Sequence, residues 1–182
     1  MAKRIILGID PGTTLTGYGI IVVDGKKMQL VSLGIIKLSK YPDHPGRLKK
    51  IFSRITSIIE EYRPTEMALE APFYGKNVQS MLKLGRAQGV AMAAGLMHEL
   101  EIYEYAPRKV KMAVTGNGAA SKEQVFAMLE KLLGEKIELE ALDASDGLAV
   151  AVCHAFQRNL TGDGKSYSGW GDFVKKNPDR KK

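Results

Sequence analysis

The first apolar run of the chain ends on an acid. Ile5, Ile6, Leu7, Gly8 and Ile9 form an unbroken apolar stretch, and Asp10, Pro11 and Gly12 follow it. A short run without polar alternation, bounded by turn residues, is the pattern of a strand buried on both faces at the centre of a sheet. A carboxylate capping such a strand is costly unless something positive meets it. Three more acids stand where a folded chain can bring them beside it. Glu70 ends a second short run, Glu66-Met67-Ala68-Leu69-Glu70, and Asp143 and Asp146 open a late helical pattern. Four such acids in a chain of net charge +7 point to a metal site that handles a polyanion.

The surrounding pattern places these acids on a sheet. Strands are expected over Arg4 to Ile9, Gly17 to Asp24 and Met28 to Leu38, joined by turns short enough to require an antiparallel meander. A helix follows over Arg47 to Tyr62, with Leu48, Ile51, Ile55, Ile58 and Ile59 on one stripe and Pro64 beyond its end. Glu66 to Glu70 reads as a strand, Asn77 to Leu100 as a long helix and Glu101 to Tyr105 as a strand. Helices are then expected over Pro107 to Val114, from Ser121, and over Asp143 to Asn159. Ser121 and Gln124 have capping-box spacing. The later strand–helix–strand passages require parallel pairing through right-handed crossovers. The expected architecture is α/β, a mixed five-stranded sheet with helices on both faces. In the long helix, Gly85, Gly89 and Gly95 suggest close approach by another backbone, either the sheet or a second copy.

At 182 residues the chain suits one domain, here residues 1–160, with a basic and loosely ordered tail over 161–182. The tail holds six Lys or Arg against three Asp, which leaves +4 on the body. Trp170 and Phe173 are its aromatic residues, and its role is not legible. The start is too short for a signal peptide, and no apolar stretch reaches the roughly 18 residues of a membrane helix. The single cysteine, Cys153, excludes an internal disulfide and fits a reducing cytoplasm. It also excludes cysteine-rich zinc sites, and the three scattered histidines offer no zinc spacing. Any metal is therefore held by oxygen, which points to magnesium or manganese.

Each acid alone has an ordinary reading. Asp-Pro-Gly is good turn chemistry, a strand-ending Glu70 can face water, and Asp143 and Asp146 suit a helix N-cap and first turn. Together they say more. If the first strand is central, Asp10 and Glu70 end adjacent parallel strands at one edge. Asp143 and Asp146, three apart, share a helix face. One helix docking at that edge gathers all four, and like charges so gathered need cations. Two divalent ions about 4 Å apart would activate a water and stabilise the leaving oxygen of a phosphodiester.

Five blocks resemble the RuvC family of Holliday-junction resolvases. They are Gly8-Ile-Asp10-Pro-Gly-Thr-Thr-Leu-Thr-Gly17-Tyr-Gly19, Leu69-Glu70-Ala-Pro-Phe73, Lys83-Leu-Gly85, Tyr105-Ala-Pro-Arg108-Lys-Val-Lys111 and Asp143-Ala-Ser-Asp146-Gly-Leu-Ala149. They lie in the family's order across residues 3–160. The resemblance implies a ribonuclease H-like fold, a homodimer, and metal-dependent cutting of two opposing strands of a four-way DNA junction. It implies that Asp10, Glu70, Asp143 and Asp146 are catalytic metal ligands for two magnesium ions, with manganese as a substitute. It gives Phe73 the place of an aromatic that stacks on bases near the crossover, and Lys111 and Lys122 basic positions in junction handling. Lys76, Lys83, Arg86, Arg108 and Lys109 would extend that surface. A branch-migration complex is a further partner, and no membrane is involved. Gly147 departs from the family's usual alanine. Asp10-x-Gly12-Thr13-Thr14 is also similar to the phosphate loop of the actin, heat-shock ATPase and sugar-kinase superfamily, which closes two such domains around ATP in a much longer chain. The remaining alternative is a junction-binding module without catalysis, working through the basic face alone.

Overall fold

The computed structural model describes residues 3–72, 77–138 and 142–160. Five strands form one sheet in the order β3-β2-β1-β4-β5. They are β1 (Arg4–Asp10), β2 (Leu15–Asp24), β3 (Lys27–Lys37), β4 (Glu66–Glu70) and β5 (Glu101–Tyr105). The first three pair antiparallel, and β4 and β5 add in parallel, so the opening apolar run is the central strand. This is the expected mixed sheet.

Alternation along β1 divides the core. Ile6 joins Ile21 and Ala68 on one face, while Leu7 and Ile9 join Ile20, Met67 and Leu69 on the other. The second face is covered by α1 (His44–Tyr62) and α2 (Val78–Met97), the first by α3 (Pro107–Thr115), α4 (Lys122–Leu133) and α5 (Ser145–Leu160). The stripe Ile51, Ile55, Ile58 and Ile59 seats α1, as its spacing requires. The helix starts three residues earlier than the apolar stripe indicates. Asp43 caps it, accepting from the Gly46 amide at 2.6 Å, and Pro45 suits the first turn. The capping box of α4 is complete, with Ser121 and Gln124 each bonding the other's backbone amide.

The long helix ends at Met97 instead of Leu100, because Glu99 takes a left-handed conformation (φ 58°) and turns the chain into β5. Of its three glycines only Gly95 meets the sheet, where an added Cβ would press on Ile102 and Met67. Gly85 and Gly89 face open space.

The helix that positions the late acids is α5. Every residue from Leu148 to Ala155 is buried, all but His154 of them apolar or small, so this stretch of the helix sits inside the protein. It reaches the sheet through glycine. A Cβ at Gly8 would collide with the Gly147 carbonyl, and one at Gly147 would strike the backbone of Gly17 and Tyr18. Gly147 therefore gives a packing distance that alanine would widen. Asp143 falls in the turn before α5, and Asp146 in its first turn. The two are thus not on one helical face as expected. No described helix is long and apolar enough to cross a membrane.

Candidate active site

The parallel register of β1 and β4 pairs Ile9 with Leu69, so the next residues, Asp10 and Glu70, leave the sheet side by side. Both line a cavity of about 60 Å³ with Pro11, Ala71, Pro72, Leu84 and Gln88. By the same measure one water needs about 10–15 Å³, so the cavity suits a small ion with a few waters.

The two carboxyls carry the electrostatic signature of an incomplete site. Burial, the charge of Asp146, and only partial relief from Lys122 push Asp10 up to about 6. Burial comes first for Glu70 as well. The charges of Asp10 and Asp146 add to it, Lys111 offsets part, and the group is pushed up to about 8. Such values follow when carboxylates are gathered partly out of water with too little positive charge to offset burial and mutual repulsion.

Asp143 and Asp146 are held differently. Lys122 Nζ stands 2.9 Å from Asp143 Oδ1 and 2.8 Å from Asp146 Oδ2. Burial works against the Lys122 charge, but its bonds to Asp146 and Asp143 hold its pKa above the ordinary value. Among the described residues no three acid, His or Cys side chains are drawn into a ready-made ion cage. An ammonium bridges the late pair instead, and Asp146 faces Asp10 and Glu70 only through its charge. The donor set still fits a hard divalent cation. It is all carboxylate, and the two buried members are ones whose ionisation a cation would restore.

Sequence reasoning missed Gln88, an almost fully buried amide. Its Nε2 donates to Glu104 Oε2 at 2.8 Å and lies 3.4 Å from the Glu70 carbonyl. A lone amide between Ala87 and Ala91 on the buried stripe of α2 was the available signal. It also missed Arg47, whose Nη1 donates to the Thr13 carbonyl at 2.9 Å and ties down the turn after Asp10.

The basic candidates spread over three helices. Lys83 and Arg86 are exposed on α2, Arg108 is exposed on α3, and Lys111 and Lys122 are partly exposed. Lys109 Nζ lies over the Tyr105 ring at 5.1 Å. Phe73, Lys76 and the tail over 161–182 lie outside the described residues.

A mixed five-stranded sheet of this order, with helices on both faces, defines a ribonuclease H-like fold. The family model described as "Crossover junction endodeoxyribonuclease RuvC" matches residues 6–154. The chain belongs to this family, and it is accordingly an endonuclease acting on phosphodiester bonds at DNA crossover junctions. Divalent-metal dependence comes with the family in general. The chain is 59% identical to the RuvC of Christiangramia forsetii over 97% of its own length and 92% of that protein. It is 56% identical to the RuvC of Bacteroides fragilis over 99% and 97%. Among solved structures, Thermus thermophilus RuvC in complex with a Holliday junction substrate matches with a TM-score of 0.80 at 31% identity, covering 87% of this chain and 96% of that one.

Proposed function

We propose that Asp10, Glu70, Asp143 and Asp146 form the catalytic metal site of this resolvase, and that it makes paired symmetric nicks in opposing strands of a four-way junction during recombination and repair. The observation that carries this reading is the pair of adjacent, half-buried carboxyls at the ends of β1 and β4, whose charge Lys122 and Lys111 offset only in part. Magnesium, two ions per site with manganese as a substitute, would supply water activation and stabilisation of the leaving oxygen. Asp10 and Glu70 would hold the ions at the cavity wall, and Asp143 and Asp146 would close the set from the α5 side. Lys122 holds those two acids in place meanwhile, and on release its ammonium would be free to meet a DNA phosphate. Pro11, Ala71, Pro72 and Leu84 give the cavity its apolar lining beside the carboxyls.

The DNA would lie across Lys83, Arg86, Arg108, Lys109, Lys111 and Lys122, and Phe73 and Lys76 would be further contacts. Phosphate contacts of this kind position the substrate without reading sequence. Two nicks in opposing strands call for two sites, hence a homodimer. The exposed stripe Val78, Leu82, Gly85, Gly89 and Leu96 along α2 supports this, since it repeats at helical spacing and, among the described residues, no side chain covers its glycines. A branch-migration complex is the further partner that this reading brings, and the cytoplasm its place of work.

The test is incubation with synthetic four-way junctions and magnesium. Ligatable nicks placed symmetrically in opposing strands are expected. Tight binding without cleavage, across varied junction sequences, would leave only a binding module.

A further inference from the structure

Besides Asp10 and Glu70, the described lining of the acid pocket includes one further polar side chain, the amide of Gln88. Leu84 and Gln88 both line the pocket because residues four apart share a face of α2. Ala87 and Ala91 on the same side of the helix are buried, so small side chains let α2 sit close to the sheet beside Gln88. A glutamine buried there must place two N–H donors and one acceptor oxygen.

Gln88 Nε2 lies 2.8 Å from Glu104 Oε2 on β5 and 3.4 Å from the Glu70 carbonyl on β4. Both neighbours are acceptors, and this fixes the end of the amide that faces them as nitrogen. The two strands run in parallel register at this point, Leu69 beside Glu104 and Glu70 beside Tyr105. One amide therefore bridges the ends of two strands. On the other side of β4, pairing with β1 stops at Ile9 and Leu69, and Pro11 beyond it has no N–H to carry a ladder on. The residue at this loosely laddered end is Glu70, so whatever holds its backbone sets where its carboxyl stands. With the nitrogen engaged, the oxygen is the polar atom of the amide left for the pocket. Among the described residues nothing donates to it. A cavity of about 60 Å³ takes several waters, and each can donate.

We propose that Gln88 is a positioning residue of the metal site and acts through both ends of its amide. Its Nε2, oriented by Glu104, holds the end of β4 and with it the Glu70 carboxyl. Its Oε1 accepts from a water in the pocket. Glu104 acts one step further out, by keeping the amide turned this way. Outer partners of this kind commonly change metal affinity or activity by about 10–100-fold when removed. This inference rests on the reading of Asp10 and Glu70 as metal ligands.

The experiment measures manganese binding to the full chain without DNA, from the electron paramagnetic resonance signal of the free ion. Wild type is compared with Gln88→Leu, Glu104→Ala and Glu104→Gln, each checked by urea unfolding. Gln88→Leu should weaken manganese binding about 10-fold. Glu104→Ala should weaken it about 3-fold, because the amide is still present but no longer oriented. Glu104→Gln keeps an oxygen that accepts from Gln88, and should return affinity to within about 2-fold of wild type. Glu104 is exposed, so its two variants carry the test even if Gln88→Leu fails to fold. Unchanged manganese affinity in a folded Gln88→Leu would overturn the proposal and leave Gln88 a packing residue. Equal losses in Glu104→Ala and Glu104→Gln would also overturn it, since Glu104 would then act through its charge alone. If wild type binds no manganese, or Asp10→Asn binds it equally well, the metal-site reading itself fails and takes the proposal with it.

Discussion

Strand β4 carries two glutamates four residues apart, and they have opposite fates. Glu66, at its start, is buried and fully engaged. Its Oε2 accepts from His154 Nε2 at 2.6 Å and from Arg4 Nη1 at 3.2 Å, and His154 Nδ1 in turn meets the Tyr105 hydroxyl at 2.7 Å. Glu70, at its end, has its pKa pushed up to about 8 by burial and by the charges of Asp10 and Asp146, which Lys111 offsets only in part. The protein can satisfy a carboxylate on this strand, and does so at one end only. The other end is where a cation belongs. A carboxylate whose pKa is strongly raised in a cleft, with its charge only partly offset, is a functional-site signal, whereas one paired in place is a structural one.

Four changes would break or sharpen this contrast. The largest effect is expected from Glu70→Gln or Asp10→Asn, which should slow junction cleavage at least about 10³-fold, some 4 kcal/mol in the barrier. Junction affinity, measured by mobility shift, should stay within a few-fold. At the other end of the strand, His154→Ala removes one partner of a buried hydrogen bond to a carboxylate and should cost about 2–3 kcal/mol of stability in urea melts. Its cleavage rate per folded molecule should hold, which separates structural from chemical burial.

A third change concerns pH. The folded-state pKa of Glu70, about 8, lies above its ordinary 4.5. The stability that its proton brings is complete below about pH 4.5 and is lost as pH rises through about 8. Metal-free wild type should therefore weaken between pH 5 and pH 9 by about 1–3 kcal/mol more than Glu70→Gln, as read from urea midpoints at each pH. The smallest effect is that of Lys122→Ala. Its bridges to Asp143 and Asp146 are partly exposed, so the loss in stability should stay under about 1 kcal/mol. The Asp10 carboxyl, relieved in part by Lys122, should rise further.

Much of this contrast is legible in the chain, but unevenly. The strand order follows from β1 being apolar on both faces and from turns too short for crossovers, and Asp10 and Glu70 fall together once β1 and β4 are parallel neighbours. Helix ends are less legible. Asp43 and Pro45 extend α1 ahead of its apolar stripe, and Glu99 stops α2 by a backbone conformation that periodicity does not report. The approach of α5 is a tertiary fact. Gly8 and Gly147 each look like an ordinary small residue until the helix is laid across the strand. The Lys122 bridge and the buried His154 pair join residues distant in sequence, and no local pattern connects them.

The central claim is that Asp10 and Glu70 await a metal. It is tested most directly by following their side-chain carboxyl carbons by NMR across pH, without and with magnesium. Without metal the midpoints should lie near 6 and 8. Magnesium should carry both below the ordinary carboxylate range, since a cation beside a carboxylate favours its charged form. Midpoints at ordinary values without metal, or raised midpoints that magnesium leaves unmoved, would contradict it.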